Sequence, residues 1–167
     1  GVEFEILSPD HLQGESRGNN QSCVLRVQAG GDSVLLSGDI EAGTEQKLVQ
    51  TMQKKLAAKV LGVPQHGSAT SSSEAFLDSV SPQIALFPLG YRNRFGFPKP
   101  QVVARYRKRG VRMFDTAHHG AIEIRLGSPN GLHNISSWRQ ADARYWRHRF
   151  PLPEAFVGQG ASSGGSV

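Results

Sequence analysis

The chain has a single cysteine, Cys23, in 167 residues. That excludes an internal disulfide and any cysteine-rich zinc site. Cys23 lies in Ser22-Cys23-Val24-Leu25-Arg26-Val27, where a buried structural thiol is expected. No run of about 18 apolar residues occurs, so no helical membrane span is predicted. No signal-peptide pattern opens the chain, because Gly1-Val2-Glu3-Phe4 enters a strand-like pattern directly. A start on Gly rather than Met reads as an excised chain, cut either from a longer protein or from a tag.

Acidic residues are missing from the whole stretch between Asp78 and Asp115. It carries Arg92, Arg94, Lys99, Arg105, Arg107, Lys108, Arg109 and Arg112. A second basic group is Arg139, Arg144, Arg147, His148 and Arg149, and the net charge is +5. Tyr91, Phe95, Tyr106, Tyr145 and Trp146 are interleaved with these cations. Clustered Arg with aromatics suits a nucleic-acid backbone surface, and a solvated basic face reads the same way. The lack of carboxylates argues against a cationic substrate.

What is present is enough for one core, with 38% of the residues apolar. Glu3–Leu7 alternates as a strand, and residues 8–21 form a polar loop. Ser22–Ala29 and Ser33–Ser37 read as strands joined by Gly30-Gly31-Asp32, a hairpin signal. Glu41–Lys55 has the period of an amphipathic helix. Val60–Val63 is a short buried strand, and Ser71 to Ser73 before Glu74 resembles a capping box for a helix to Val80. Ile84–Leu89 is a buried strand. Pro98 and Pro100 suit the start of a helix that runs to about Arg109 and stops at Gly110. Val111–Phe114, Gly120–Leu126 and Leu132–Ser136 are further strands, the last two as a pair. Gln140–Arg149 fits a short helix, and Gly158–Val167 is low-complexity and predicted to be disordered. Alternating strands and helices after a hairpin predict an α/β fold with a mixed sheet.

Two segments carry the chemistry. Leu35-Leu36-Ser37-Gly38-Asp39-Ile40-Glu41 is an apolar strand that stops at Gly-Asp. Val63-Pro64-Gln65-His66-Gly67-Ser68 follows a second strand and stops at a Pro, a His and a Gly. Each puts a metal-capable side chain at a strand's C-terminal end, where ligand sites of α/β proteins collect. Asp39 is a metal ligand or the cap of the helix after it. Ser68, Thr70, Ser71, Ser72 and Ser73 form a hydroxyl-rich run suited to an anion or to a plain surface loop. Tyr91-Arg92-Asn93-Arg94-Phe95-Gly96-Phe97-Pro98 offers guanidinium forks and stacking faces at the end of a third strand. His118-His119 reads as a turn with exposed imidazoles, and His11 and His133 lack supporting context.

In this order the segments resemble the C-terminal part of the metallo-β-lactamase-like domain of the ComEC family, bacterial DNA-uptake proteins. The resemblance rests on Phe4–Leu7, Asn19–Val27, Leu35–Glu41, Leu61–Ser73, Leu89–Gly96 and Thr116–Ile124. Ala141-Asp142-Ala143-Arg144-Tyr145-Trp146-Arg147 also looks like a basic-aromatic tail of proteobacterial members.

The resemblance implies the second half of an αβ/βα sandwich. It makes residues 1–137 the C-terminal part of that domain, 138–157 a basic-aromatic tail and 158–167 a disordered end. It implies that Asp39 bridges two Mn²⁺ or Zn²⁺ ions, that His66 is a ligand or active-site His, and that both are catalytic. From their own chemistry, Arg92, Asn93, Arg94, Lys99 and Ser68 are the expected DNA-contacting set. The His-x-His-x-Asp-His motif of the first half is absent from this chain. Implied partners are DNA, the missing N-terminal half, and a transmembrane channel domain in an inner-membrane protein, with this domain on the periplasmic side.

The chain departs from the family in three places. Two His are common where it has Gln65-His66, and Gly-His-Pro-His-Pro where it has Gly96-Phe97-Pro98-Lys99-Pro100. Gln is a poor metal ligand and Phe is none, so this chain alone could lack a metal. Three functions stay open: DNA binding with metal-dependent hydrolysis of the non-imported strand, a non-catalytic DNA-guiding module, and a metallohydrolase of a small phosphoester. An isolated half-sandwich is expected to expose a sheet face, covered by homodimerisation, by swapping or by a tail segment.

Overall fold

The computed structural model describes residues 1–9, 18–127, 132, 135–141 and 156. Strands β1 (Val2–Ser8), β2 (Val24–Ala29) and β3 (Asp32–Leu36) form an antiparallel meander. Helix α1 (Ala42–Met52) leads to β4 (Val60–Gly62), α2 (Glu74–Val80) to β5 (Ile84–Phe87), and α3 (Pro100–Lys108) to β6 (Arg112–Asp115). β3 to β6 run parallel, giving one six-stranded sheet in the order β1-β2-β3-β4-β5-β6. A short helix α4 (Thr116–His119) follows, then a hairpin of β7 (Ile122–Ile124) and β8 (Ile135–Ser137), and α5 (Trp138–Ala141). The α/β class and mixed sheet expected from the sequence are therefore present. Among the described residues no helix is long and apolar enough to cross a membrane.

Strand register separates two faces. Leu35, Leu61, Ala85 and Met113 lie side by side in adjacent strands. They join Leu48 of α1, Phe76, Leu77 and Val80 of α2, and Val102, Val103 and Tyr106 of α3 in the main core. Each parallel crossover carries its helix on this side, as right-handed connections in consecutive order require. On the opposite face Val60 and Ile84 pack with Leu132 and the partly buried Ile124 and Ile135 of the hairpin. Among the described residues the β1 end of that face is left exposed. Phe4 and Ile6 of β1 are 70% and 66% exposed, and they sit beside Val27 and Leu25 of β2. Leu36, paired with Leu25, continues the stripe.

The turn between β2 and β3 needs glycine at two positions, because Gly30 and Gly31 both have positive φ (+54° and +83°). A Cβ on Gly30 would lie 2.6 Å from the Gly127 Cα, so the turn abuts the end of the β7 segment. Buried Asp32 ties the junction: its Oδ1 accepts from Lys59 Nζ at 2.6 Å and its Oδ2 from the Gly127 N–H at 2.8 Å. These bonds, led by the Lys59 ammonium, hold the Asp32 carboxyl below its usual range. A depressed folded value stabilises above the unfolded value and is lost as pH falls through the folded one. Urea unfolding at pH 7 and pH 3 should show Asp32→Asn losing less stability on acidification than the parent.

Several expectations are corrected. Cys23 is exposed, because it precedes β2 and Val24 is the first residue of that strand buried against the helices. The helix begun at residue 42 tightens into a 3₁₀ turn at Gln53–Leu56 rather than running unbroken to Lys55. The strand expected over Gly120–Leu126 shrinks to Ile122–Ile124, and its partner is Ile135–Ser137. Ser73 is the N-cap of α2 but makes no side-chain cap bond. Its place is taken by buried Glu45 of α1, which accepts from Ser72 N–H at 2.6 Å and Ser73 N–H at 2.8 Å. The tail expected at 138–157 lies outside the described residues apart from 138–141 and Phe156, and 158–167 lies wholly outside them. Phe156 packs edge-on against Phe87, 5.5 Å between ring centroids.

Candidate functional site

All the chemistry-bearing loops leave the same edge of the sheet. Asp39 follows β3, His66 follows β4, the Arg-rich loop follows β5, and His118 follows β6. These are the C-terminal ends of four parallel strands, where crossover loops open and leave a crevice.

Asp39 is not a helix cap; Glu41 occupies that position for α1. The Gly38-Asp39 turn (Gly38 φ +55°) is fixed by the Asp39 N–H donating to Ser22 Oγ at 3.1 Å, and by Gln65 N–H donating to Gly38 O at 3.0 Å. The second bond joins the Asp39 turn to the His66 turn. Asp39 Oδ1 then stands 3.4 Å from His66 Nε2, both side chains about half exposed. His66 Nδ1 is 2.6 Å from the Pro88 carbonyl oxygen. A carbonyl only accepts, so Nδ1 carries the hydrogen and Nε2 faces Asp39 as an acceptor unless protonated. The carboxylate and the Nε2 lone pair thus face one another across the gap, a pair of donor atoms that a cation could share.

The His66 turn is held in a costly conformation. Gln65, His66 and Gly67 have successive positive φ values of +46°, +56° and +84°. Two non-glycine residues in this region store strain of the kind found at functional sites. Gln65 is anchored by its side chain, whose Nε2 donates to Glu41 Oε1 at 2.9 Å and whose Oε1 accepts from Thr70 at 2.6 Å. Its amide is therefore turned into a Glu41–Thr70 bridge. Asn20 completes the frame, accepting from Glu41 N–H and from the Thr44 hydroxyl. Asn20 and Glu41 lie in segments that carry the resemblance and Thr70 in the hydroxyl-rich run, but nothing in the sequence indicated that they are bonded together around Gln65.

Gly67 is where the next loop closes on His66. A Cβ there would sit 2.7 Å from Pro98 Cβ, and Gly67 O accepts from Lys99 N–H at 2.9 Å. With Pro88 bonded to His66, the loop between Pro88 and Lys99 is clasped to the His66 turn at both ends. Gly67→Ala should cost about 1–3 kcal/mol through both strain and overlap, read as a lower Tm.

Within the loop, Arg92 lies over Tyr91 and Arg94 over Phe95, at 5.3 and 5.0 Å from the ring centroids. Phe95 stacks on Phe97 at 5.6 Å and is itself exposed. The Asn93 amide is taken up inside the loop, bonded both ways to the Phe97 backbone. Lys99 Nζ folds back to Phe95 O at 2.8 Å. Ser68 Oγ is 3.2 Å from Thr70 Oγ1. Arg92 and Arg94 thus face solvent on aromatic supports, and Asn93, Lys99 and Ser68 shape the surface beside them.

Asp39 and His66 supply donors that Mn²⁺ and Zn²⁺ accept. No group of three His, Cys, Asp or Glu able to hold a metal occurs among the described residues. The pair fits one edge of a metal site and not a whole one.

His118 and His119 correct the expected exposed turn. They end helix α4, where Asp115 caps the first turn by accepting from His118 N–H at 2.7 Å. His119 is buried, and burial pushes its pKa down. His118 Nδ1 lies 2.8 Å from the same Asp115 oxygen.

No protein-family model matches the chain. It is 40% identical over 127 residues to Competence protein ComA of Neisseria gonorrhoeae, covering 76% of this chain and 18% of that protein. It is 37% identical over 151 residues to YcaI of Escherichia coli (strain K12), covering 90% and 20%. It is 31% identical over 134 residues to ComE operon protein 3 of Bacillus subtilis (strain 168), covering 80% and 17%. The chain thus spans about a fifth of the length of the curated relatives it matches. With competence proteins recurring across most of its length, the chain belongs to the ComEC family.

Proposed function

We propose that this chain is the second half of a metallo-β-lactamase-like sandwich in a DNA-uptake protein, and that it contacts DNA through the loop Tyr91–Lys99. The supporting observation is the clasp between that loop and the Asp39–His66 pair, in a loop whose Arg92 and Arg94 pair with no carboxylate among the described residues. The open stripe of Phe4, Ile6 and Leu36 is the face on which the other layer of the sandwich packs. That layer supplies the remaining metal donors. A divalent metal held there with help from Asp39 and His66 would activate water and neutralise charge at phosphorus, for hydrolysis of the non-imported strand. The rest of the protein provides the membrane channel, and this domain lies on the periplasmic side.

A second reading, a DNA-guiding surface without hydrolysis, is favoured by Gln65, whose amide is engaged with Glu41 and Thr70. Both readings share the DNA surface. Fluorescence anisotropy of the chain with a short duplex, at 50 and 200 mM salt, tests it. Binding that weakens steeply with salt supports the surface. No binding at 50 mM salt contradicts it. Mn²⁺-dependent cleavage by the full-length protein, lost in Asp39→Ala, then selects hydrolysis over guiding.

A further inference from the structure

A cavity of about 340 Å³ opens between the Arg-rich loop, α3 and α4. It is distinct from the Asp39–His66 pair but adjoins it, since Pro88 bonds His66 and the next residue, Leu89, lines the cavity. Its apolar wall is Leu89, Phe97, Pro98, Val103 and Phe156. Its polar wall is Arg92, Arg107 and His118. Neither arginine pairs with a carboxylate among the described residues. His118 is oriented: Asp115 is fully buried, and its Oδ1 accepts from His118 Nδ1, so His118 Nε2 is the nitrogen left for a ligand. Asn93, also in the lining, has its amide engaged with Phe97 and offers no base-reading edge.

We infer that this pocket binds a nucleoside monophosphate unit, phosphate on Arg92 and Arg107 and base against Phe97 and its apolar neighbours. The volume is at the small-ligand end of the usual range, large enough for a ring system as well as an anion. Two guanidinium groups over an apolar floor favour a phosphate attached to a flat hydrophobic body over a bare ion. With no free amide in the wall, the pocket discriminates weakly among bases. The nucleotide could be free or the phosphorylated end of a strand. The inference goes beyond the DNA-surface reading; it shares Arg92 with the proposed DNA loop and is tested apart from it through Arg107, which lies on α3 outside that loop.

Isothermal titration of the whole chain with dAMP, dTMP, deoxyadenosine and inorganic phosphate tests the proposal. The two nucleotides should bind within about threefold of each other, and at least about tenfold more tightly than deoxyadenosine or phosphate alone. Arg107→Ala, on an exposed helix surface, should weaken dAMP about tenfold while duplex affinity stays within about twofold. Equal binding of dAMP and deoxyadenosine, or an Arg107→Ala variant that binds dAMP like the parent, overturns it. A 5′-phosphorylated pentanucleotide that outbinds its 5′-hydroxyl twin identifies a strand end as the source. Binding of dAMP but of neither pentanucleotide identifies free nucleotide. Arg107-dependent dAMP binding without duplex binding leaves this pocket standing and removes the DNA surface.

Discussion

Glu45→Ala should lose about 3–5 kcal/mol of folding stability, the largest single effect expected in this chain. Glu45 is fully buried on α1 and reaches across to α2, where its two oxygens accept the backbone N–H groups of Ser72 and Ser73. Removing the carboxylate leaves two buried donors without partners, at about 1–3 kcal/mol each, and a void behind them. The neighbours cannot relax into the gap. Ser72 holds φ +57° and bonds the buried Tyr106 hydroxyl, while Arg105 bonds the Ser71 and Ser72 carbonyls. Burial pushes the Glu45 pKa up, outweighing the bonds from Ser72 and Ser73. A raised folded value stabilises most at low pH and loses its contribution as pH rises through that value. The stability gap between parent and Glu45→Gln should therefore widen from pH 7 towards pH 4, opposite in sign to Asp32. Denaturant unfolding at pH 7 and pH 4 checks the Glu45 sign, and the pair at pH 7 and pH 3 checks that of Asp32.

Arg92→Ala combined with Arg94→Ala should weaken duplex DNA binding on the order of fifty-fold at 0.1 M salt. Each phosphate contact contributes about 0.9 to the slope of log affinity against log salt, so two contacts remove about 1.8. At 0.1 M salt that slope corresponds to the stated loss. The two arginines stand on Tyr91 and Phe95, which restricts the guanidinium planes before any DNA arrives. Lys99→Ala should cost less, because its ammonium is folded onto Phe95 O. The slope and affinity are both read from anisotropy titrations across salt. A double variant with the parent's slope would remove the loop from the DNA surface.

The sheet was largely legible because most of its strands are short apolar runs with Gly or Pro close behind them, and each long helix has a full turn of periodic apolar positions. That Asp39 and His66 each close a strand was legible for the same reason; that those strands are adjacent and parallel, so that the two residues meet at one edge, needed the structure. What escaped were contacts set by tertiary geometry. Glu45 sits in an ordinary helical period, and nothing local indicates that it caps a different helix, whereas Ser73-Glu74 mimics a local cap. His118 and Asp115 are three residues apart, a spacing that brings them together only once α4 forms. Cys23 was misread because its neighbours are apolar, although the strand that buries them begins one residue later.

The measurement that bears most directly on the proposed DNA surface is amide chemical-shift mapping of the ¹⁵N-labelled chain during titration with a short duplex. The account predicts shifts concentrated on Tyr91–Lys99 and on the turn at His66-Gly67-Ser68, fading as salt is raised, with β1 and β2 unmoved. Shifts confined to the exposed face of α3 at Gln101, Ala104 and Lys108, with the clasped loop silent, would contradict it.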